Sequence, residues 1–120
     1  MAAPNIVNVA TITGITTGRA LTTTTTTQLL TNVASSNKVF KVNSIVVANV
    51  DGSSAADVTI AYNDGSTSYH LASTVSVPAD STLIVLDKNA SLYLQEGTKL
   101  VGGASANSDL EAVISYEEIS

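Results

Sequence analysis

Lys38-Val39-Phe40-Lys41-Val42-Asn43-Ser44-Ile45-Val46-Val47-Ala48-Asn49-Val50 is the stretch that decides the fold. Side chains of an extended chain alternate between two faces. Phe40, Val42, Val46 and Ala48 fall on one face; Lys41, Asn43 and Asn49 fall on the other, joined by Ile45 and Val47. A strand that is apolar on both sides through its middle belongs near the centre of a sheet. Asp51-Gly52-Ser53-Ser54 then turns the chain.

The same pattern continues toward the C-terminus. Val58, Ile60 and Tyr62 alternate with Thr59 and Ala61, and Asn63-Asp64-Gly65-Ser66 carries the residues that tolerate the positive φ of a hairpin turn. Tyr69, Leu71, Val75 and Val77 follow on one predicted face, and Pro78-Ala79-Asp80-Ser81 turns again. Leu83 to Leu86 reads as a short buried run. Leu92 and Leu94 flank an outward Tyr93, and Leu100-Val101 leads through Gly102, Gly103 and Ala104. Glycines inside a strand mark a bulge or a close backbone approach. In the last segment Leu110, Ala112, Ile114 and Tyr116 point one way and Glu111, Ser115 and Glu117 the other.

Toward the N-terminus, Ile6 to Thr13 reads as a first strand ending at Gly14, so residues 1–13 are expected to form an N-terminal arm or edge strand. Arg19 to Val33 contains six consecutive threonines, Thr22 to Thr27. Threonine is β-branched and stiff at χ1, so the run suits an exposed or edge strand; a polar linker is the alternative. No segment sustains a helical period, and turn signals recur every eight to twelve residues or so. The expectation is one all-β domain over 1–120, a single antiparallel β-sandwich of jelly-roll or immunoglobulin-like form, with about eight or nine strands.

Composition narrows the function. The 120 residues hold 16 Thr and 15 Ser, but only 12% are charged and 4% aromatic. Globular chains average about 25% charged, so hydroxyls stand where charges usually do. A net charge of −5 argues against nucleic-acid binding, which needs a basic stripe. No apolar run reaches the roughly 18 residues of a membrane-spanning helix. The start, Met1-Ala2-Ala3-Pro4-Asn5, lacks the basic and apolar regions of a signal peptide. With no cysteine, thiolate chemistry and disulfides are ruled out.

Chemistry-bearing patterns are sparse. His70, the only histidine, lies near Asp64, Ser66 and Ser68, but all belong to one predicted hairpin, whereas a triad needs a base oriented by a separate acid. Asp51 with Asp57, or Asn63 with Asp64, offers oxygen ligands for calcium without the spacing of a calcium loop, and turns favour those residues anyway. Glu111, Glu117 and Glu118 read as a solvated face. Gly102-Gly103 lacks the Lys-Ser/Thr and helix of a phosphate cradle. Tyr62, Tyr69 and Tyr116 are expected in the core, leaving Tyr93 alone as a sugar-stacking candidate. The reading is therefore a non-enzyme with no catalytic residue, no cofactor and no metal.

Four stretches resemble small structural proteins of tailed bacteriophages, especially those of marine cyanobacteria. They are Lys38 to Gly52, Val-Pro-Ala-Asp-Ser-Thr-Leu at Val77 to Leu83, Leu-Tyr-Leu-Gln-Glu-Gly at Leu92 to Gly97, and Leu-Glu-Ala-Val-Ile-Ser-Tyr-Glu-Glu-Ile-Ser at Leu110 to Ser120. The resemblance covers about residues 38–120 and rests on strand-and-turn signatures. It implies a virion component assembled in the host cytoplasm. The favoured expectation is a capsid decoration or cement protein that stabilises the head shell by passive contacts with the major capsid protein or another virion protein. It would act as a homo-oligomer, a trimer, with neither nucleic acid nor membrane as partner. A tail, neck or fibre component is one alternative; a carbohydrate- or host-surface-binding module is another. The expected interface residues are Ile6, Val7 and Val9 on the terminal arm and Thr22, Thr24 and Thr26 on the threonine run.

Overall fold

The computed structural model describes residues 10–120. The expected contacts Ile6, Val7 and Val9, and most of the proposed 1–13 arm, lie outside the described residues. Nine strands follow one another: β1 (Ile12–Ala20), β2 (Thr27–Asn32), β3 (Val39–Asn49), β4 (Ala56–Asn63), β5 (Ser68–Val77), β6 (Thr82–Leu86), β7 (Leu92–Leu94), β8 (Thr98–Ala104) and β9 (Leu110–Ile119). Among the described residues the one helical element is a 3₁₀ turn, Lys88–Ala90, between β6 and β7.

Two antiparallel sheets result. The first has the order β1-β9-β3-β6, with the short β7 pairing the other end of β3; the second has the order β2-β8-β4-β5. The pairing is nested: β1 with β9, β2 with β8, β3 with β6, β4 with β5. A long hairpin of paired strands, rolled so that its pairs alternate between two sheets, is a jelly roll. This order excludes the immunoglobulin-like alternative.

The sheets close over an aliphatic core that includes Leu21, Val42, Ile45, Val47, Val58, Ile60, Leu94, Leu100 and Leu110. Phe40 and Tyr116 add a tilted ring pair with centroids 5.1 Å apart. As the alternation predicts, Leu110, Ala112, Ile114 and Tyr116 all face inward from β9.

Four expectations are corrected. Along β3 the register against β9 slips between Val42 and Ser44, so Asn43 is an extra residue. An extra residue reverses which side chains face inward. Past Asn43 it is Ile45 and Val47 that enter the core, while Val46 and Ala48 turn to the outside. In β5 the ladder against β4 slips twice, each time with the extra residue on β5, and Thr74 takes a positive φ of 52°. Ala72 and Val77 become the buried pair, and Tyr69, expected in the core, is 58% exposed. In β6, read as a buried run, Ile84 points outward.

The fourth concerns the N-terminal third. The first described strand is Ile12–Ala20, running through Gly14 rather than stopping there. The threonine run is no strand until Thr27; Thr22 to Thr26 form an exposed loop. That loop lies across β8 at Gly103, where an added Cβ would sit 2.6 Å from the Thr24 carbonyl oxygen and 2.7 Å from that of Thr22. The Ala104 N–H donates to the Thr22 carbonyl at 2.8 Å, and the Thr24 carbonyl accepts from both the N–H and the hydroxyl of Thr27. Close approach to a side-chain-free strand position bends the run where propensity alone favours extension.

Candidate functional site

The sequence-predicted chemistry is dispersed. The Asp64 Oδ1 accepts from the N–H groups of Ser66 and Thr67, closing the β4–β5 turn around Gly65, whose φ is +107°. Asp51 Oδ1 accepts from the N–H and the hydroxyl of Ser53. These donors hold both carboxyls below the usual carboxylate range, with the Thr67 N–H first for Asp64 and the Ser53 N–H first for Asp51. One side-chain oxygen of each of Asp51, Asn63 and Asp64, three of the four residues that looked like calcium ligands, is engaged in a turn. Among the described residues no three His, Cys, Asp or Glu side chains converge on a common point. The Ser68 hydroxyl accepts from the Asn63 side-chain amide at 2.9 Å. Glu118 pairs with Lys38 at 2.9 Å, and Glu96 accepts the Asn37 N–H.

Two surface features remain. One is an open depression of about 280 Å³ lined by Tyr62, Tyr69, His70, Leu71, Leu92 and Tyr93. Tyr62 and Tyr69 face each other across the end of the β4–β5 ladder, and Tyr93 stands on β7 in the other sheet. Tyr93 points outward because its neighbour Leu94 is wholly buried. Tyr69 joins it because it pairs Tyr62 at the end of the β4–β5 ladder, where it stays 58% exposed; the two extra residues of β5 cancel in phase by that point. No carboxylate lines the hollow. It offers ring faces, aliphatic walls, phenol hydroxyls and one imidazole, which suit stacking and hydrogen bonding.

The other is the outer face of the first sheet. Direct cross-strand partners place Gly18, Val113, Val46 and Ile84 in one row running through β1, β9, β3 and β6. On one side of it Thr16, Ser115 and Ser44 form a second row, with the Thr16 and Ser115 hydroxyls 3.1 Å apart. On the other side Ala20, Glu111, Ala48 and Thr82 form a third. Glu111 is the lone charge in the three rows. Solvated faces of antiparallel sheets normally alternate to polar residues, yet Ile84 is 62% and Val113 44% exposed here.

Thr22, Thr24 and Thr26, expected at the interface, are exposed on the loop over Gly103, away from these rows in the ladder. Sequence alternation missed the Val46–Val113–Ile84 row because Val46 was assigned to the core face. No protein-family model matches the chain, and no curated protein is significantly similar to it.

Proposed function

We propose that this chain is a structural component of a bacteriophage virion, a capsid decoration or cement protein that stabilises the head shell through passive contacts. It holds to the major capsid protein or another virion protein, it assembles with copies of itself, and no step of its work involves a reacting group. The observation that carries this reading is the outer face of the first sheet. There a weakly charged surface carries an outward Val46–Val113–Ile84 row, half-buried at Val46 and exposed at Val113 and Ile84. Contiguous exposed apolar surface marks an interaction site more often than an accident of composition. The strand-and-turn resemblance of residues 38–120 supports the virion setting. The jelly roll occurs among viral capsid domains, which adds support at the level of fold only. Stabilisation follows mass action, because the assembled shell binds the protein and dispersed subunits do not.

Counting copies in purified particles by quantitative mass spectrometry tests the placement. Copies in the hundreds support the shell; a number from about six to a few dozen, matching tail and neck symmetry, moves the protein there.

The tyrosine-lined depression favours a second reading, a carbohydrate- or host-surface-binding module. Half-exposed Tyr69 and Tyr93 with Leu71 and Leu92 present the flat apolar faces against which a sugar ring stacks. Glycan-array binding that disappears in Tyr93→Ala supports it; an array without signal removes it.

A further inference from the structure

The four edges of the two sheets are not equivalent. Exposed sheet edges invite pairing with other chains, and proteins blunt them with bulges, short strands, proline or lysine. The β2 edge has six residues and a slipped register; β5 has two slips; β6 has five residues and a slip, and β7 only three residues. β1 has none of these devices. It pairs β9 without interruption over nine residues, Ile12 to Ala20, and contains no proline and no lysine.

The hydrogen-bonding phase of that edge is fixed. Thr11 and Ser120 exchange both backbone bonds, and the Leu21 N–H donates to the Leu110 carbonyl. Bonded and non-bonded pairs alternate in an antiparallel ladder. The odd residues of β1 are therefore bonded to β9, and the N–H and C=O groups of Ile12, Gly14, Thr16, Gly18 and Ala20 point to the edge that no other described strand pairs. Those five residues are all exposed.

We infer that β1 pairs with β1 of a second copy, antiparallel about a two-fold axis through Thr16. The sequence of the strand is what points to a copy of itself. This register pairs even residues with even residues, so all the outward groups find partners. It sets Thr16 against Thr16, Gly14 against Gly18, and Ile12 against Ala20. Gly14 has nothing within 4 Å of where a Cβ would be, and Gly18 meets only the Ala112 carbonyl oxygen at 3.9 Å, so packing within the chain requires neither glycine. Arg19, the lone charge on β1, falls opposite Thr13 of the second copy. Thr13 pairs with Glu118, and Gly14 with Glu117, so Arg19 meets the acidic end of the other β9 and no like charges face each other. The product is a continuous sheet, β6-β3-β9-β1-β1-β9-β3-β6, whose outer face doubles the surface proposed above for adhesion. The pair has two-fold symmetry, not the three-fold grouping expected from the resemblance, and it stands whether or not the protein sits on a virion.

Sedimentation equilibrium of the purified full chain tests the pairing. The wild type is expected to dimerise to twice 12.3 kDa with rising concentration. Thr16→Pro removes an N–H that has no partner among the described residues and blocks the axis, so it is expected to remain monomeric. Thr16→Lys and Thr16→Glu place like charges face to face and weaken the dimer about three- to tenfold, and mixing the two favours the heterodimer. A wild type that stays monomeric up to about 1 mM, where even a weak pair registers, overturns the inference. So does a trimer, or a dimer indifferent to the charge at position 16.

Discussion

The side-chain amide of Asn49 donates to the Val77 carbonyl at 2.9 Å, joining β3 of one sheet to β5 of the other. Asn32 mirrors it: from β2 its amide donates to the Leu94 carbonyl on β7, also at 2.9 Å. Each amide makes a second bond to a neighbouring loop, Asn49 to the Ser54 carbonyl and Asn32 to that of Lys38. The Asn49 Oδ1 also accepts from the Asp51 N–H. Both side chains are buried, and the bonds to the Val77 and Leu94 carbonyls are buried with them.

Asn49→Ala and Asn32→Ala are each expected to destabilise the fold by about 2–4 kcal/mol, because they orphan buried carbonyls as well as removing bonds. Asn49→Asp is expected to be worse at neutral pH, since a carboxylate cannot donate to Ser54 and Val77. Urea unfolding midpoints check all three. A loss below about 0.5 kcal/mol in the alanine variants would mean that the sheets are joined by aliphatic packing alone.

Glycines in this chain are expected to separate into two classes. An alanine Cβ at Gly102 meets the Thr59 carbonyl oxygen at 2.5 Å, and at Gly103 it meets the threonine loop. Gly102→Ala and Gly103→Ala should each cost about 1–3 kcal/mol, because backbone must move. Gly14→Ala adds a methyl in open space and restricts the unfolded chain, so it should stabilise by about 0.5 kcal/mol. Thermal melts of the three variants give the ranking.

Acid should loosen the turns first. Asp51 and Asp64 have folded-state pKa values below the usual 3.8. Their contribution is therefore complete above about pH 4 and is lost as pH falls through the lowered values. The substitutions Asp51→Asn and Asp64→Asn keep an accepting Oδ1 at each turn but remove the titrating group. The double variant is expected to flatten the stability profile between about pH 5 and pH 2. At the alkaline end, burial first and the Glu118 charge second raise the Tyr116 phenol, opposed by Lys38. That stability is present below pH 10 and lost as pH rises through the raised value. Tyr116→Phe should remove the alkaline limb; unchanged pH profiles in these variants would contradict the assignments.

Much of the sandwich was legible in the sequence, because period-two alternation holds wherever strands pair without slips. The last strand, from Leu110 to Tyr116, and the central position of β3 follow from it directly. Strand order was not legible: whether Leu110 to Ile119 lies beside β1 and β3 or elsewhere depends on long-range pairing, to which local alternation is blind. Extra residues were equally invisible. A single one at Asn43 moved Val46 from the predicted core to the outer row, and between the two in β5 Ala72 takes the buried place that alternation gave to Leu71. The threonine run misled because propensity favours a strand, while contact with Gly103 settles it as a loop. Gly14 misled in the opposite sense, as a stop signal in an edge strand that tolerates it.

The most direct test of adhesion through the outer sheet face is add-back to particles lacking this protein, followed by their disruption temperature. Wild-type protein is expected to bind and raise that temperature. The double variant Ile84→Lys with Val113→Lys, altered only at two exposed outer-row positions, is expected to fold but leave it unchanged. Particles unaffected by the wild type, or protected equally by the double variant, would contradict the proposed role of that face.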